Sequence, residues 1–330
     1  WVNLNIWCSE FLVLKAAHLN FTMAFATGIM SRGFSSTASR YAIQKVTVIG
    51  GGLMGSGIAQ VAAQSGHNVT LVDISEDILK KSEANIQKSL ERVAKKKFPD
   101  ASEAEKFIST TLGNLSLKSD VSDAAKDTDL IVEAIVENMD IKKKLFKTLD
   151  SNAPQHTIFA SNTSSFSITE IASATQRIDR FGGLHFFNPV PMMKLVEVVR
   201  TPDTSDETNS ALFDFSKRLG KTAVQAKDTP GFIVNRLLVP YLFEAMRMVE
   251  RGDATPQGVD LAMKLGAGMP MGPFELADYV GLDTSKFIMD GWHELYPEKE
   301  LFQPVDLLNK LVSEGKTGRK SGEGFYNYKK

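Results

Sequence analysis

The sequence predicts an α/β fold in which a doubly wound sheet domain is followed by an all-α C-terminal domain. Three observations carry that prediction. Short apolar runs alternate with helical periods from Val46 to about residue 160, a glycine turn joins the first run to the first helix, and from about Asp228 the pattern becomes almost wholly helical. The turn lies in Val46-Thr-Val-Ile-Gly-Gly-Gly-Leu-Met-Gly-Ser-Gly-Ile-Ala59, where Gly50, Gly52 and Gly55 stand in G-x-G-x-x-G register. Gly50 allows the tight turn, Gly52 lets the backbone approach a pyrophosphate, and Gly55 lets the helix pack close to the strand. Unpaired N–H groups and the positive end of the helix dipole would then meet the phosphates, as in a Rossmann-like dinucleotide site.

The elements follow in order. A helix is expected from Ser56 to about Ser65, ending at Gly66, and then a strand over Val69-Thr-Leu-Val-Asp73. Asp73 closes that strand about 20 residues past the glycines, where a carboxylate can bond the adenosine ribose and repel a 2′-phosphate, which argues for NAD over NADP. Ser75 caps a helical period running to Lys97, and a second amphipathic stretch from Ser102 to about Thr110 would pair with it. The cluster Lys95-Lys96-Lys97 has two readings. Lysines at a helix C-terminus complement its dipole and are ordinarily just solvated, or they could hold a phosphorylated ligand.

Strands are then expected at Asp129–Ile135 and Thr157–Ala160, with a helix from Asp140 to Asp150 between them. Such alternation implies a parallel sheet whose ligands sit outside the carboxyl ends of the strands. Two polar loops, Glu137-Asn138 and Ser161-Asn-Thr-Ser-Ser165, leave those ends. Two further strands, Gly183–Asn188 and Lys194–Val199, flank a Pro-Val-Pro corner. Beyond Asp228, helices are expected over Gly231–Arg251, Thr255–Gly266, Pro273–Tyr279, Thr284–Leu295 and Val305–Glu314. Their apolar content exceeds what short helices hide alone, so this domain should leave an apolar face for a partner subunit.

Domain boundaries are therefore expected at 1–40, 41–227 and 228–330. The first segment reads as processing sequence. No Asp or Glu occurs between Glu10 and Asp73, and the run from Met23 to Arg40 bears Arg and is rich in Ser and Thr, as in a mitochondrial transit peptide. Met23 is the expected initiator, with upstream sequence ahead of it, and the whole segment is expected to be disordered.

A formal net charge of −1 gives no global field for nucleic acid, and the apolar run before Met23 is too broken to cross a membrane. The one cysteine, Cys8, lies in the processing segment, and the five histidines show no zinc-site spacing, so no metal is expected.

Positions 185 and 197 are equidistant from Pro191. If their strands form an antiparallel hairpin centred there, His185 and Glu197 face each other on one side of the sheet. A carboxylate beside an imidazole holds its tautomer and stabilises the imidazolium, which is what a general base needs to take a proton from an alcohol. A buried histidine merely satisfied by its neighbour fits the spacing equally well.

Seven ordered phrases now stand together: Val-Ile-Gly-Gly-Gly-Leu-Met-Gly, Val-Glu-Ala-Ile-Val-Glu-Asn, Phe-Ala-Ser-Asn-Thr-Ser-Ser, Gly-Leu-His-Phe-Phe-Asn-Pro-Val-Pro, Lys-Asp-Thr-Pro-Gly-Phe-Ile-Val-Asn-Arg, Met-Gly-Pro-Phe-Glu-Leu and Gly-Glu-Gly-Phe-Tyr. From residue 44 to 328 the chain resembles the short-chain L-3-hydroxyacyl-CoA dehydrogenases of the mitochondrial matrix. The resemblance implies NAD-dependent oxidation of a 3-hydroxyacyl-CoA in fatty acid β-oxidation by a homodimer joined through the helical domain. It places the catalytic pair on His185 and Glu197, with Ser164, Asn188 and Asn235 around the reacting oxygen. Cofactor contacts fall on Gly50, Gly51, Gly52, Leu53, Met54, Gly55, Asp73, Glu137, Lys142, Ser164, Asn188 and Lys320. Contacts to CoA fall on Ser89, Lys96 and Ser164, which selects the ligand-binding reading of the lysine cluster. Two rivals stand beside it: a β-hydroxyacid dehydrogenase, which would lean on a catalytic Lys, and a non-catalytic NAD-binding structural protein of the lens-crystallin kind.

Overall fold

The computed structural model describes residues 43–329, so the expectations for the N-terminal segment and Cys8 lie outside the described residues. The sheet begins with β1 (Lys45–Ile49), whose apolar side chains are buried. Helix α1 (Leu53–Gln64) follows the glycine turn at once, so Leu53, Met54 and Gly55 already form its first turn. This corrects the expected start at Ser56: glycine-rich sequence weakens helix propensity, but the ladder closes where the α1 amides need a partner. Strand β2 (Asn68–Val72) leads to α2 (Glu76–Lys97), capped by Ser75 at the Ile78 N–H, and α3 (Ala101–Gly113), capped by Asp100.

Next come β3 (Leu115–Lys118), α4 (Val121–Ala125), β4 (Leu130–Glu133), α5 (Met139–Asn152), β5 (Ile158–Ser161) and α6 (Ile168–Ala172). Strands β6 (Phe181–Phe186) and β7 (Leu195–Arg200), helix α7 (Asp206–Arg218) and strand β8 (Thr222–Lys227) complete this part. The eight strands lie in the order β3-β2-β1-β4-β5-β6-β7-β8. All neighbours pair in parallel except β6 with β7, so the last two strands run against the other six. The order reverses between β1 and β4. That is the topological switch point, and the crevice outside its strand ends is where a ligand fits this kind of sheet.

The sequence reading contains no β3, α4, α6, α7 or β8. The two missed strands are the two edges of the sheet, and edge strands bury one face at most: β8, Thr-Ala-Val-Gln-Ala-Lys, buries only Ala226. Helix α7 is different, because its signal is explicit. Ser205 caps it, Asp206 and Glu207 open it, Ala211, Leu212 and Phe215 are buried, and Lys217 and Arg218 close it.

The helical part contains α8 (Val234–Glu250), α9 (Pro256–Gly266), α10 (Pro273–Val280), α11 (Leu282–Leu295) and α12 (Asp306–Ser313), close to the expected spans. They enclose a separate core that includes Phe243, Phe274, Trp292 and Phe302. Two buried carboxylates tie the C-terminal tail to it. Asp260 accepts from the Phe274 and Glu275 amides and the Tyr326 hydroxyl, and Asp278 accepts from the Phe325 and Tyr326 amides and the Tyr328 hydroxyl. Burial, helped by the bond to Asp278, pushes the Tyr328 phenol up to about 12. Among the described residues no helix is long and apolar enough to cross a membrane.

Candidate active site

The site is assembled from loops that leave the carboxyl ends of the strands. Gly50 has φ +110, and a Cβ there would overlap the Ala134 carbonyl; a Cβ on Gly55 would overlap that of Gly50. A Cβ on Gly52 would meet nothing within 4 Å, so the space above the turn is open. Gly52 is also the α1 N-cap, with no side-chain cap and no acid in the first turn. An uncapped helix end facing open space is fit to receive a phosphate. Asp73 closes β2 beside it, accepting from the Gly51 N–H at 2.8 Å and the Ser75 N–H at 3.0 Å. These residues fit the pyrophosphate and adenosine ribose of a dinucleotide.

A buried ion network supports the far side of the crevice. Glu133, 0% exposed at the end of β4, accepts from Lys142 Nζ at 2.6 Å, the Ser161 hydroxyl at 2.6 Å and the Ile135 N–H at 2.8 Å. Lys142 also pairs with Glu137 at 3.0 Å, and Glu137 in turn accepts from the Thr163 hydroxyl and the Ser164 N–H. The loops after β4 and β5 are thereby locked to each other. Lys142 itself is only 1% exposed, so it meets the crevice through Glu137. Glu133 carried no signal in the sequence beyond being an acid in an apolar strand, which is itself a reason to look for a buried partner.

His185 and Glu197 stand directly opposite in the β6–β7 pairing, as their spacing predicted. The imidazole Nδ1 lies 2.7 Å from Glu197 Oε2, and both residues are buried. The other carboxylate oxygen of Glu197 accepts from the Ile233 N–H at 3.1 Å and the Val234 N–H at 2.9 Å, at the start of α8. One carboxylate thus joins the imidazole to the helical part of the chain. Burial by itself would raise the Glu197 pKa, but the hydrogen bond from His185, the Val234 amide, the histidine charge and the Ile233 amide together hold it below the ordinary carboxyl value. The rings of Phe187 and Phe232 flank the imidazole at 4.5 and 5.4 Å.

The remaining candidate groups vary in their closeness to this pair. Asn162 accepts from the Phe186 N–H at 2.9 Å, which ties the Ser161–Ser165 loop, and so half-buried Ser164, to the strand of His185. Asn188 is exposed at the end of the same strand, and Asn235 is half-buried in the first turn of α8, next to the amides that hold Glu197. Lys221 pins the corner after Asn188 by donating to the carbonyls of Val190 at 2.5 Å and Met193 at 2.7 Å. Lys320 lies in the tail loop, paired with Asp283 at 2.7 Å, and no contact joins it to the glycine turn. Ser89 and Lys96 both lie on α2.

The comparisons with known proteins address the same two parts of the chain. A family model described as 3-hydroxyacyl-CoA dehydrogenase, NAD binding domain, matches residues 45–229, and one described as 3-hydroxyacyl-CoA dehydrogenase, C-terminal domain, matches residues 231–328. The chain belongs to the 3-hydroxyacyl-CoA dehydrogenase family. It is 61% identical over 314 residues to the mitochondrial hydroxyacyl-coenzyme A dehydrogenase of Sus scrofa, covering 93% of this chain and 100% of that one. A probable 3-hydroxybutyryl-CoA dehydrogenase of Bacillus subtilis is 44% identical, covering 87% and 98%. The crystal structure of (S)-3-hydroxybutyryl-CoA dehydrogenase from Ralstonia eutropha superposes with a TM-score of 0.82 at 42% identity, covering 87% of this chain and 100% of that one. The cofactor of this dehydrogenase family is NAD, and the open glycine turn with Asp73 beside it suits that cofactor.

The depressed Glu197 pKa has a consequence for the stability of this family member. A carboxyl whose pKa is lower in the folded chain contributes stability that is complete above its ordinary value of 4.5 and is lost as pH falls through the folded value. Glu197→Gln cannot titrate. The stability of wild type relative to Glu197→Gln should therefore shrink on acidification below the ordinary value, as read by denaturant unfolding at a series of pH values.

Proposed function

We propose that this chain oxidises an L-3-hydroxyacyl-CoA to the 3-ketoacyl-CoA, with His185 as the group that moves the proton. The observation that supports the assignment is that Nδ1 of His185 is engaged by buried Glu197, which leaves Nε2 as the free ring nitrogen. A neutral imidazole donating through Nδ1 presents a lone pair at Nε2, where it takes the proton of the substrate hydroxyl. NAD, when bound, supplies the hydride acceptor. Glu197 stabilises the imidazolium that forms, and the same proton returns to the oxygen when the ketone is reduced. The hydroxyl of Ser164 and the amides of Asn188 and Asn235 are assigned to hold that oxygen. Asp73 and Glu137 are assigned to the cofactor, with Lys142 keeping Glu137 in place.

The CoA assignment gains support from helix geometry. Ser89 and Lys96 are seven residues apart on α2, two turns on one face. Of the neighbouring lysines, Lys95 borders the groove between α2 and α3, and Lys97 lies over the Phe98 and Phe107 rings at 5.3 and 5.5 Å. Lys96 is exposed and carries no ring contact, which suits the phosphate contact that the resemblance assigns to it. The helical part leaves Leu237, Leu261, Leu265, Phe287 and Leu295 more than half exposed, which suits the covered face of a homodimer. The names of the mammalian relatives favour a mitochondrial location, and the acid-free leader the matrix.

The catalytic reading predicts opposite pH dependence in the two directions, because oxidation needs neutral His185 and reduction needs it protonated. Glu197→Gln removes the charge that favours imidazolium, so the reductive limb should move to lower pH. His185→Gln should lose roughly 10²- to 10⁴-fold in kcat while binding NADH nearly as well as wild type. A His185→Gln enzyme within about tenfold of wild type would place the proton elsewhere. A folded wild-type chain that binds NADH without turning over a 3-ketoacyl-CoA would favour the structural rival.

Lys96→Ala should raise KM for the acyl-CoA, leave KM for NADH nearly unchanged, and matter less at high salt. Equal effects on both substrates would return the cluster to a solvated helix end.

A further inference from the structure

Among the described residues Phe232 is the one non-glycine with a positive φ, at +50; every other such residue is a glycine. A side chain with a Cβ is strained there, and a turn that needed only this backbone shape would be served better by glycine. Strained residues persist where the surroundings over-determine them, and they cluster at functional sites. Two features surround this one. Its ring is 5% exposed and packs 5.4 Å from the His185 ring at 59°. Its backbone turn, closed by Phe232 N–H to the Thr229 carbonyl, sends the next two amides, of Ile233 and Val234, to Glu197.

We propose that Phe232 is a positioning residue for the proton transfer: its ring walls one side of the imidazole from water while its left-handed backbone aims the first amides of α8 at Glu197. The proposal rests on His185 being the proton acceptor. Nδ1 is held by Glu197, and the rings of Phe187 and Phe232 pack against the imidazole, so the ring is restrained from turning Nε2 away. The two contacts act oppositely on charge. Glu197 favours the imidazolium, and exclusion of water disfavours it.

The charged groups around the imidazole are few. Glu197 on β7 faces it directly, whereas the paired segment of β5, Phe159 to Ser161, brings no titratable side chain. Helices α6 and α7, packed on the rest of β6, carry exposed Glu170 paired with Lys143, Asp206 paired with Arg200, Asp214 near Lys217, exposed Glu207, and Arg218 donating to the Ile43 carbonyl, and α8 after Phe232 carries Arg236 over the Phe302 ring.

The test compares pH profiles of kcat in both directions for wild type, Phe232→Leu, Phe232→Gly and Phe232→Tyr, with NADH Kd as the check that each is folded. Leucine removes the ring and keeps a branched apolar side chain too small to cover the imidazole, glycine keeps the backbone without strain, and tyrosine keeps the ring. Leucine and glycine should let water reach the imidazole, move the limb of both profiles to higher pH, opposite to Glu197→Gln, and lower kcat by roughly tenfold through loss of orientation. Tyrosine should restore a limb near that of wild type. Limbs that stay in place while only thermal stability falls would make Phe232 a core ring and overturn the proposal, and limbs that move to lower pH would overturn it as well. His185→Gln in the same assay separates the two levels of the argument: a limb that survives there belongs to another group and removes the proton-acceptor reading itself.

Discussion

The Glu197 carboxylate is the joint on which the arrangement depends. It is wholly buried, and a buried charge is tolerable only if its oxygens are satisfied. One oxygen is satisfied by His185 and the other by two amides at the start of α8. The sheet thereby fixes the imidazole, and the helical part fixes the carboxylate. Neither part of the chain holds the pair alone. The short connection between β6 and β7 makes their pairing antiparallel, and that hairpin brings two residues twelve apart in sequence face to face.

A second buried charge network does for the cofactor side what Glu197 does for the base. Glu133, Lys142 and Glu137 link β4, α5 and the loop after β5, so the two polar loops that follow β4 and β5 are bonded to each other. Removing one partner from such a network costs about 3–5 kcal/mol because the remaining charge is stranded. The placement matters more than the sum. Ser164 stands on this network and, through Asn162 and Phe186, next to the strand of His185. Hydrogen bonds thus run from the Glu133–Lys142–Glu137 network to the strand that carries His185.

Much of this was legible in the sequence because it follows from local rules. The glycine register, the acid after β2 and the helical periods are short-range patterns, and the facing of His185 and Glu197 follows from counting outward from Pro191 once a hairpin is assumed. Edge strands β3 and β8 escaped because they bury too little to alternate. The start of α1 was misplaced because three glycines look like a turn although the last of them is helical. The roles of Glu133, Phe232 and the Ile233 and Val234 amides were not readable: they arise from contacts between residues 9 to 47 positions apart, and no spacing rule connects a strand acid to the amides of a later helix. The resemblance makes Lys142 a cofactor contact, and its burial between two carboxylates nine and five residues earlier in the chain gives it a supporting place that no sequence pattern signals.

The account turns on which imidazole nitrogen carries the proton. If Glu197 fixes the ring, neutral His185 keeps its hydrogen on Nδ1 and leaves Nε2 with its lone pair free. The direct measurement is nitrogen NMR of the chain labelled at histidine, with His185→Gln to assign the signal, recorded on the alkaline side of its titration. The account predicts a protonated Nδ1 and an unprotonated Nε2 in the wild type, with that preference weakened in Glu197→Gln. A neutral His185 protonated on Nε2 in the wild-type enzyme would contradict it.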